Sequence, residues 1–258
     1  MSLFDTHCHL DNGCFTAQLP GMIACWQACG VDRFLVPSVA PERWEGVLAL
    51  CDRHPSCYPA IGIHPCFLMN FDESSLMALD DLIRAQKQIV ALGEIGLDKT
   101  AGDWALQVRV FGEQVRLAMT HNLPVIIHSR HSHAEIVAVL KRLRFKGTGV
   151  VHGFSGSYEQ AKEFIALNLN IGVGGVITYE RARKTRSAIT RLPAASLVLE
   201  TDSPDMPVAG FQGSTNTPER LPIVAETLSF LRSESKDQLL AQLYANSCEL
   251  FRIHSGRK

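Results

Sequence analysis

The 258-residue sequence predicts an α/β fold, a single (β/α)8 TIM barrel formed by residues 1–258. Short apolar runs alternate with helix-like segments, which is typical of parallel strands joined by helices. There are eight such runs, in a length that is common for closed barrels. No linker or low-complexity stretch marks a second domain. An open, doubly wound sheet is the alternative, but no Gly-x-Gly-x-x-Gly follows the first strand, which counts against a dinucleotide-binding fold.

The predicted elements follow from the spacing of the apolar residues. The predicted strands are 3–7, 33–37, 58–62, 89–93, 124–128, 148–152, 169–173 and 197–201. Segment 103–121 has apolar side chains at helical spacing, namely Trp104, Val108, Phe111, Val115 and Ala118. Further helices are expected at 157–167, 218–231 and 236–251. The longest irregular stretch is 203–220, and a loop of this length inside a barrel is often functional.

Composition limits the classes of function. The chain has 25 basic and 26 acidic residues, so it offers no overall positive charge, and an anionic substrate must be bound locally. No run of eighteen apolar residues appears, so we expect no membrane span. The N-terminus lacks the pattern of a secretion signal, and a cytoplasmic protein is expected. The eight cysteines form no Cys-x-x-Cys pair, which argues against a structural zinc site.

Histidines and carboxylates follow the predicted strands where each strand ends. Strand one ends in His7-x-His9, and residues two apart in an extended segment share a face. Five of the ten histidines lie at strand ends. The residues at these ends are His7, His9, His64, Glu94, His128, His152, Glu200 and Asp202. Because the C-terminal ends of parallel barrel strands meet at one rim, we expect these side chains to lie close together, where barrel enzymes have their active sites.

This set of side chains predicts a metal centre at the rim. Histidine with aspartate or glutamate suits zinc or manganese, and magnesium if water fills more positions. Four histidines and two carboxylates exceed what one tetrahedral ion needs. A carboxylate shared between two divalent ions, roughly 3.5–4 Å apart in two-metal hydrolases, would use all six ligands. For His7 and His9 alone, the alternative is a pair of ordinary polar residues in a turn.

The motifs DTHCHL, GIHP, GEIGLD, PVIIHSR, HGFSGS and ETDSP occur in this order along the chain. Together they closely resemble the TatD family of metal-dependent deoxyribonucleases, within the amidohydrolase superfamily, and SPDMP…GFQG resembles its YjjV-like branch of metal-dependent hydrolases. The resemblance implies the following ligands: His7, His9 and Asp202 for one metal, His128 and His152 for the second, and Glu94 as the bridge between the two.

Three positions depart from the family pattern. Lys99 follows GLD where the family often has an aromatic residue, and it lies too far from Glu94 to act as a carboxylated lysine. Asp205 also stands where an aromatic residue is common. The segment Thr215–Glu219 lacks the basic residue that commonly precedes its Asn-x-Pro motif. These departures leave the predicted ligands unchanged and bear on substrate preference.

The resemblance implies a metal-dependent hydrolase that cleaves DNA with a metal-activated water, acting on single strands or 3′ ends as a 3′–5′ exonuclease. Asp202 is the candidate for orienting the water and accepting its proton. His64 is the candidate for contacting the scissile phosphate or the leaving oxygen, unless it is only a hydrogen-bonded rim histidine. Glu200 is expected to hold the other nitrogen of a ligand histidine. Asp5 does the same or is a buried structural carboxylate.

Several segments near the rim have two interpretations. Ser155 and Ser157 begin a helix, where they bind phosphate or cap the helix. The basic segment 181–191 follows strand seven and contacts a nucleic-acid backbone or forms a solvated helix face. Three aromatic residues in rim loops stack on bases or pack within the protein, namely Phe67, Phe154 and Phe211.

Two other classes of function remain open. The same chemistry would hydrolyse an ester or amide bond in a small metabolite or an aminoacyl-nucleic acid. A non-catalytic barrel that binds nucleic acid or protein is the third class, but the complete set of six ligands argues against it. The sequence indicates no obligate protein partner.

Overall fold

The computed structural model describes residues 2–16, 18–69 and 71–253, and it confirms the predicted eight-stranded parallel sheet. The strands pair in chain order from β1 to β8. They are β1 (Leu3–Asp5), β2 (Val31–Pro37), β3 (Cys57–Ile61), β4 (Ala91–Asp98), β5 (Val125–Arg130), β6 (Gly149–Val151), β7 (Leu169–Val173) and β8 (Leu197–Leu199). The barrel closes between its first and last strands, where the N–H of Thr6 donates to the carbonyl of Leu199 at 3.0 Å.

Helices join the strands. The α-helices among the described residues are α1 (Gly13–Thr16), α2 (Leu19–Ala28), α3 (Trp44–Arg53), α4 (Ser74–Ala85), α5 (Trp104–His121), α6 (His133–Arg142), α7 (Tyr158–Ile165), α8 (Arg183–Arg191), α9 (Leu221–Leu231) and α10 (Lys236–Leu250). The predicted helix 218–231 starts later than expected because a 3-10 turn, Pro218–Arg220, precedes α9. Within the described chain, no helix has the length and apolar character needed to cross a membrane.

The ends of α5 show how local sequence sets helix boundaries. The Asp103 carboxylate accepts the N–H of Leu106 at 3.1 Å and caps the start of the helix. At the other end, Asn122 adopts a left-handed conformation with φ 53°, which terminates the helix. The buried face of α5 consists largely of Val110, Phe111, Val115 and Ala118. Helical periodicity in the sequence therefore identified the face that packs against the core.

The inside of the barrel is apolar at its N-terminal end. Seven strands each contribute one buried residue to an inner cluster, namely Phe4, Leu35, Ala60, Ala91, Ile126, Val150 and Val198. The end of α10 and the residues after it extend this cluster with Leu250, Phe251 and Ile253. The rings of Phe4 and Phe251 lie 6.1 Å apart between centroids. This apolar packing fills the N-terminal part of the barrel interior, and the predicted site residues lie at the opposite end.

Strand β4 is longer than its prediction of 89–93 because pairing resumes after an irregularity. Leu92 pairs with Val125, whereas Ile95 pairs with Ile127. Three residues of advance along β4 therefore match two along β5, which is the signature of a β-bulge. Pairing then continues to the end of β4 at Asp98.

The extra residue in β4 determines where Glu94 points. Ala91 belongs to the inner cluster, and Leu92 belongs to the outer cluster between the sheet and the helices. Without the bulge, Glu94 would share the outward face of Leu92, because strand residues two apart point to the same side. With the bulge, Ile95 and Leu97 face the outer cluster, and Glu94 faces the interior.

Replacement of Phe251 by alanine tests the contribution of the inner cluster to stability. We expect Phe251→Ala to lower the free energy of unfolding by about 3–5 kcal/mol, because it removes a fully buried ring and leaves a cavity. The measurement is urea unfolding of protein from which metal has been removed with a chelator. Phe230 on α9 is 85% exposed and provides the matched control, with an expected change within about 0.5 kcal/mol. Equal losses for both variants would contradict the assignment of Phe251 to the core.

Candidate metal centre

The strand ends bring the predicted ligands together around the carboxylate of Glu94, whose side chain is only 3% exposed. Its Oε2 lies 3.3 Å from Nε2 of His7 and 3.5 Å from Nε2 of His9. Its Oε1 lies 2.7 Å from Nε2 of His152 and 3.0 Å from Nδ1 of His128. The two oxygens of one carboxylate therefore face two separate pairs of imidazoles.

Asp202 joins the first of these pairs. Its Oδ1 lies 3.5 Å from Nε2 of His7 and 3.6 Å from Nε2 of His9. Within three groups of side chains, the ligand atoms all lie within 4.8 Å of one another: His7, His9 and Asp202; His64, Glu94 and His128; and His7, Glu94 and His152. Imidazole nitrogens and carboxylate oxygens form the donor set of zinc, manganese and related divalent ions. The residues present therefore fit a divalent-metal centre.

Backbone hydrogen bonds fix the first group. The N–H of Asp202 donates to the carbonyl of His7 at 2.8 Å, and the N–H of His9 donates to the carbonyl of Ser203 at 2.7 Å. Asp202 has a φ of 60°, in the left-handed region that aspartate tolerates better than most residues. The chain segments after β1 and β8 are thus bound to each other at the point where they supply His7, His9 and Asp202.

Two of the histidines are oriented through their second ring nitrogen. Nδ1 of His9 lies 3.1 Å from the carbonyl of Pro37, which leaves Nε2 directed at the carboxylates. Nε2 of His128 lies 3.3 Å from Oδ2 of Asp98, which leaves Nδ1 directed at Glu94. Metal-binding histidines usually have such a partner on the other nitrogen, because it fixes the tautomer and the ring plane.

Asp98 is a functional candidate that the sequence reasoning missed. Its Oδ1 accepts from the N–H and the hydroxyl of Thr100, each at 2.7 Å. The side chain of Gln107 accepts the N–H of Asp98 at 2.9 Å and donates to its carbonyl at 3.1 Å. The available signal was the spacing in GEIGLD, since Glu94 and Asp98 are four residues apart and so share one face of a strand.

His64 lies as close to Glu94 as the predicted ligands do, with Nε2 3.2 Å from Oε1. Its Nδ1 accepts the N–H of Cys66 at 3.1 Å. In the neutral ring only one nitrogen carries a proton, so this bond places the proton on Nε2. An Nε2–H group donates a hydrogen bond and offers no lone pair to a cation. The tautomer therefore distinguishes His64 from His9 and His128.

The two further carboxylates contact other groups than expected. Asp5 accepts from the N–H of Thr201 at 2.9 Å and from its hydroxyl at 2.6 Å, and its hydrogen bonds do not involve the ring of His7. This supports the structural interpretation of Asp5. Glu200 accepts the N–H of Gly153, and its other oxygen has no partner among the described residues. The predicted hydrogen bond from Glu200 to a ligand histidine is wrong, because its carboxylate is engaged by the backbone beside His152.

Burial and the imidazoles set the charges of the centre. Burial opposes ionisation of Glu94, but the surrounding histidines, His152 first, hold its pKa well below the usual range. Burial lowers the pKa of His7 to about 4, and the charge of His152 adds to this effect. Burial also opposes the charged form of His152, but Glu94 raises its pKa to about 10. For His9, burial opposes the charged form, but the carboxylates of Asp202 and Glu94 outweigh burial and raise the pKa to about 9.

The ligand groups open into a cavity of about 1000 Å³. The irregular loop after β8 contributes Pro204, Asp205 and Met206 to its lining, and Lys99 contributes from the end of β4. Lys99 is paired with Glu135, which also lines the cavity. The family departures at positions 99 and 205 therefore face the space that a substrate would occupy.

The contacts of the serine and aromatic side chains at the rim distinguish between the two interpretations given for them. Ser157 caps α7, since its hydroxyl accepts the N–H of Gln160 at 3.2 Å, whereas Ser155 lines the cavity. Phe154 is buried, and Phe67 is 43% exposed and lines the cavity. Phe211 is exposed under the guanidinium of Arg220, 3.7 Å from the ring centroid.

Comparisons with known proteins match one family over almost the whole chain. The family model described as TatD related DNase matches residues 4–252. The metal-dependent hydrolase YjjV of Escherichia coli (strain K12) is 43% identical over 96% of this chain and 97% of its own length. A protein of Cronobacter sakazakii (strain ATCC BAA-894) named 3′-5′ ssDNA/RNA exonuclease TatD is 32% identical over 96% of this chain and 97% of its own. The crystal structure of YjjV from Escherichia coli K12 has a TM-score of 0.94, with 42% identity and 98% of each chain covered.

Asp98→Asn tests the orientation of His128. We expect its affinity for divalent cations to fall by about 10–100-fold, because the loss of a carboxylate partner weakens an imidazole ligand by this amount. The measurement is competition with a chromophoric chelator. Asp205→Asn is the control, since Asp205 lines the cavity but makes no hydrogen bond to a ligand histidine. Equal affinity in Asp98→Asn and the wild type would contradict the role of Asp98.

Metal loading is also expected to release protons. Near neutral pH, His9 and His152 are protonated, because their pKa values of about 9 and about 10 lie above the solution pH. A cation that displaces the protons of these two rings releases roughly one to two protons per protein. The affinity of the protein for the cation therefore rises as the pH increases toward these pKa values. Calorimetry in buffers of different ionisation enthalpy measures the number. Zero release near neutral pH would show that these two rings are already neutral.

Proposed function

This chain belongs to the TatD-related DNase family and is a metal-dependent hydrolase, and we propose that it cleaves phosphodiester bonds in DNA. One observation carries the proposal: the two oxygens of Glu94 face separate imidazole pairs, at 3.3 and 3.5 Å on one side and at 2.7 and 3.0 Å on the other. A carboxylate placed in this way suits a bridge between two cations, as in two-metal phosphodiester hydrolysis. Relatives named 3′-5′ ssDNA/RNA exonuclease support a single-stranded substrate attacked from its 3′ end.

The proposed centre holds two divalent cations, zinc, manganese or magnesium. Its ligands are His7, His9 and Asp202 for one ion, His128 and His152 for the other, and Glu94 for both. Two cations held there supply the charge that lowers the pKa of a water molecule and offsets negative charge in the transition state. The protein holds the six ligand side chains in position for this chemistry.

Asp202 is the proposed proton acceptor. Its side chain is 16% exposed and lines the cavity, so a water at the centre can reach it. Burial raises its pKa, but the nearby imidazoles, His9 first, outweigh burial and lower it. The carboxylate is therefore ionised near neutral pH. It can orient the attacking water through one hydrogen bond and take the proton as the new P–O bond forms.

His64 is the proposed donor to the scissile phosphate. Its Nε2–H points at the centre because Nδ1 is occupied by the N–H of Cys66. Burial lowers the pKa of His64, so the ring is neutral and keeps a single donor. Such a donor, fixed in place before the reaction, stabilises charge on a phosphate oxygen or on the leaving oxygen.

Asp205 favours one alternative substrate class. This exposed carboxylate lines the cavity close to Asp202, and burial together with the charge of Asp202 raises its pKa. A carboxylate near the reacting groups repels a polyanion and attracts an ammonium group. The second candidate is therefore hydrolysis of an ester that carries an amine, as in an aminoacyl-nucleic acid.

Hydrolysis of an end-labelled single-stranded DNA oligonucleotide by chelated protein, with magnesium, manganese or zinc added back, tests the proposal. We expect the wild type to shorten the DNA only with metal, and His128→Ala to be inactive because a ligand is lost. His64→Gln should retain its metal but lose about 10²–10³-fold in kcat, the usual cost of removing one donor to a developing charge. His54→Gln is the control, since His54 follows α3 and does not line the cavity.

Other outcomes separate the alternatives. If metal-loaded wild type shortens no DNA but hydrolyses an aminoacyl ester, the nuclease proposal is wrong and the second candidate stands. If His64→Gln loses its metal, as measured by elemental analysis, His64 is a ligand rather than a hydrogen-bond donor.

A further inference from the structure

The cationic side chains that line the cavity differ in their partners. They are Arg43, Lys99, Arg130 and Lys184. Arg43 is paired with Asp11 at 3.4 Å, and Lys99 is paired with Glu135. The side chains of Arg130 and Lys184 make no ion pair and no hydrogen bond with any residue in the described part of the chain. Two positive charges in the cavity are therefore available to a ligand.

Arg130 and Lys184 are placed by different elements. Arg130 is the last residue of β5 and lies two positions beyond His128. Lys184 is the second residue of α8. Of the five basic residues in segment 181–191, Lys184 alone lines the cavity. Both side chains are exposed, so neither is required to fill the core.

The start of α6 belongs to the same wall. His133, the first residue of α6, lines the cavity, and burial together with the charge of Lys184 lowers its pKa. Ser132 does not cap this helix, because its hydroxyl donates to the carbonyl of Leu97 at 2.7 Å. The first-turn N–H groups add partial positive charge to this wall. The one acidic residue in this turn, Glu135, is neutralised by Lys99.

We propose that Arg130 and Lys184, beside the start of α6, form a subsite for a second phosphate of the substrate, next to the phosphate that reacts. The proposal rests on the proposed function and specifies its substrate class: phosphodiesters that carry at least one additional phosphate. Arginine and lysine that have no internal partner lose little on binding an anion, since no existing ion pair has to break.

The charges of the cavity also give the substrate a direction. Asp205 lies beside Asp202, because its N–H donates to the carbonyl of Asp202 at 2.9 Å, and both residues line the cavity together with His9. Arg130, Lys184 and the start of α6 lie on the side of β5 and α8. The polyanionic part of the substrate therefore leaves the centre along the α6 and α8 wall, and its uncharged end faces Asp205.

Binding of thymidine 3′,5′-bisphosphate to metal-loaded protein tests the subsite, with the 3′- and 5′-monophosphates as reference ligands. We expect wild type to bind the bisphosphate about tenfold more tightly than the better monophosphate, which corresponds to about 1.4 kcal/mol. Lys184→Gln and Arg130→Gln should each remove most of this gain without changing affinity for the better monophosphate. Arg183→Gln is the matched control, because Arg183 precedes Lys184 in α8, is exposed and does not line the cavity.

If Lys184→Gln and Arg183→Gln show the same gain in affinity for the bisphosphate over the monophosphate, the second phosphate responds only to the overall charge of the protein, and the proposed subsite is wrong. The nuclease assay is read separately. A wild type that cleaves DNA but shows no gain for the bisphosphate rejects the subsite alone. A different result rejects the nuclease proposal and keeps the subsite. In that case the wild type binds the bisphosphate more tightly than the monophosphate, Lys184→Gln does not, and the wild type cleaves no DNA.

Discussion

The buried charge of Glu94 is the constraint on which the rest of the site depends. An ionised carboxylate that is removed from water is strongly unfavourable unless positive or polar groups surround it. Glu94 receives these groups from His7, His64, His128 and His152, which come from four other strand ends. No local element can provide such an arrangement. A closed parallel barrel can, because it directs every strand end to the same rim.

The barrel separates two kinds of interior. At the N-terminal end of the strands, Phe251 and residues from seven strands form the apolar inner cluster. At the C-terminal end, the hydrogen bonds between the segments after β1 and β8 close the barrel and at the same time fix His7, His9 and Asp202. The same backbone hydrogen bonds therefore close the barrel and position these three side chains.

Much of this could be predicted from the sequence, because strand-end histidines are visible in the order of the residues. His7, His9, His128 and His152 were placed correctly at the rim, and the family resemblance paired them around Glu94. The register of β4 was not predictable, since one extra residue changes no apolar pattern on its own. The partner of His128 was missed because Asp98 appeared to lie beyond the strand. The contact of Glu200 was wrong because alternation gives the face of a side chain and not its hydrogen-bond partner.

The bulge in β4 also makes the site depend on chain length. A substitution changes one side chain, whereas deletion of Ile95 would make the pairing regular from Leu92 with Val125 to Gly96 with His128 and turn Glu94 to the outer face. The composition of the strand would hardly change, yet the carboxylate would leave the centre. In the divergence of such chains, gaps and insertions in this strand therefore remove function in one step, and a survey limited to amino-acid replacements would not detect it.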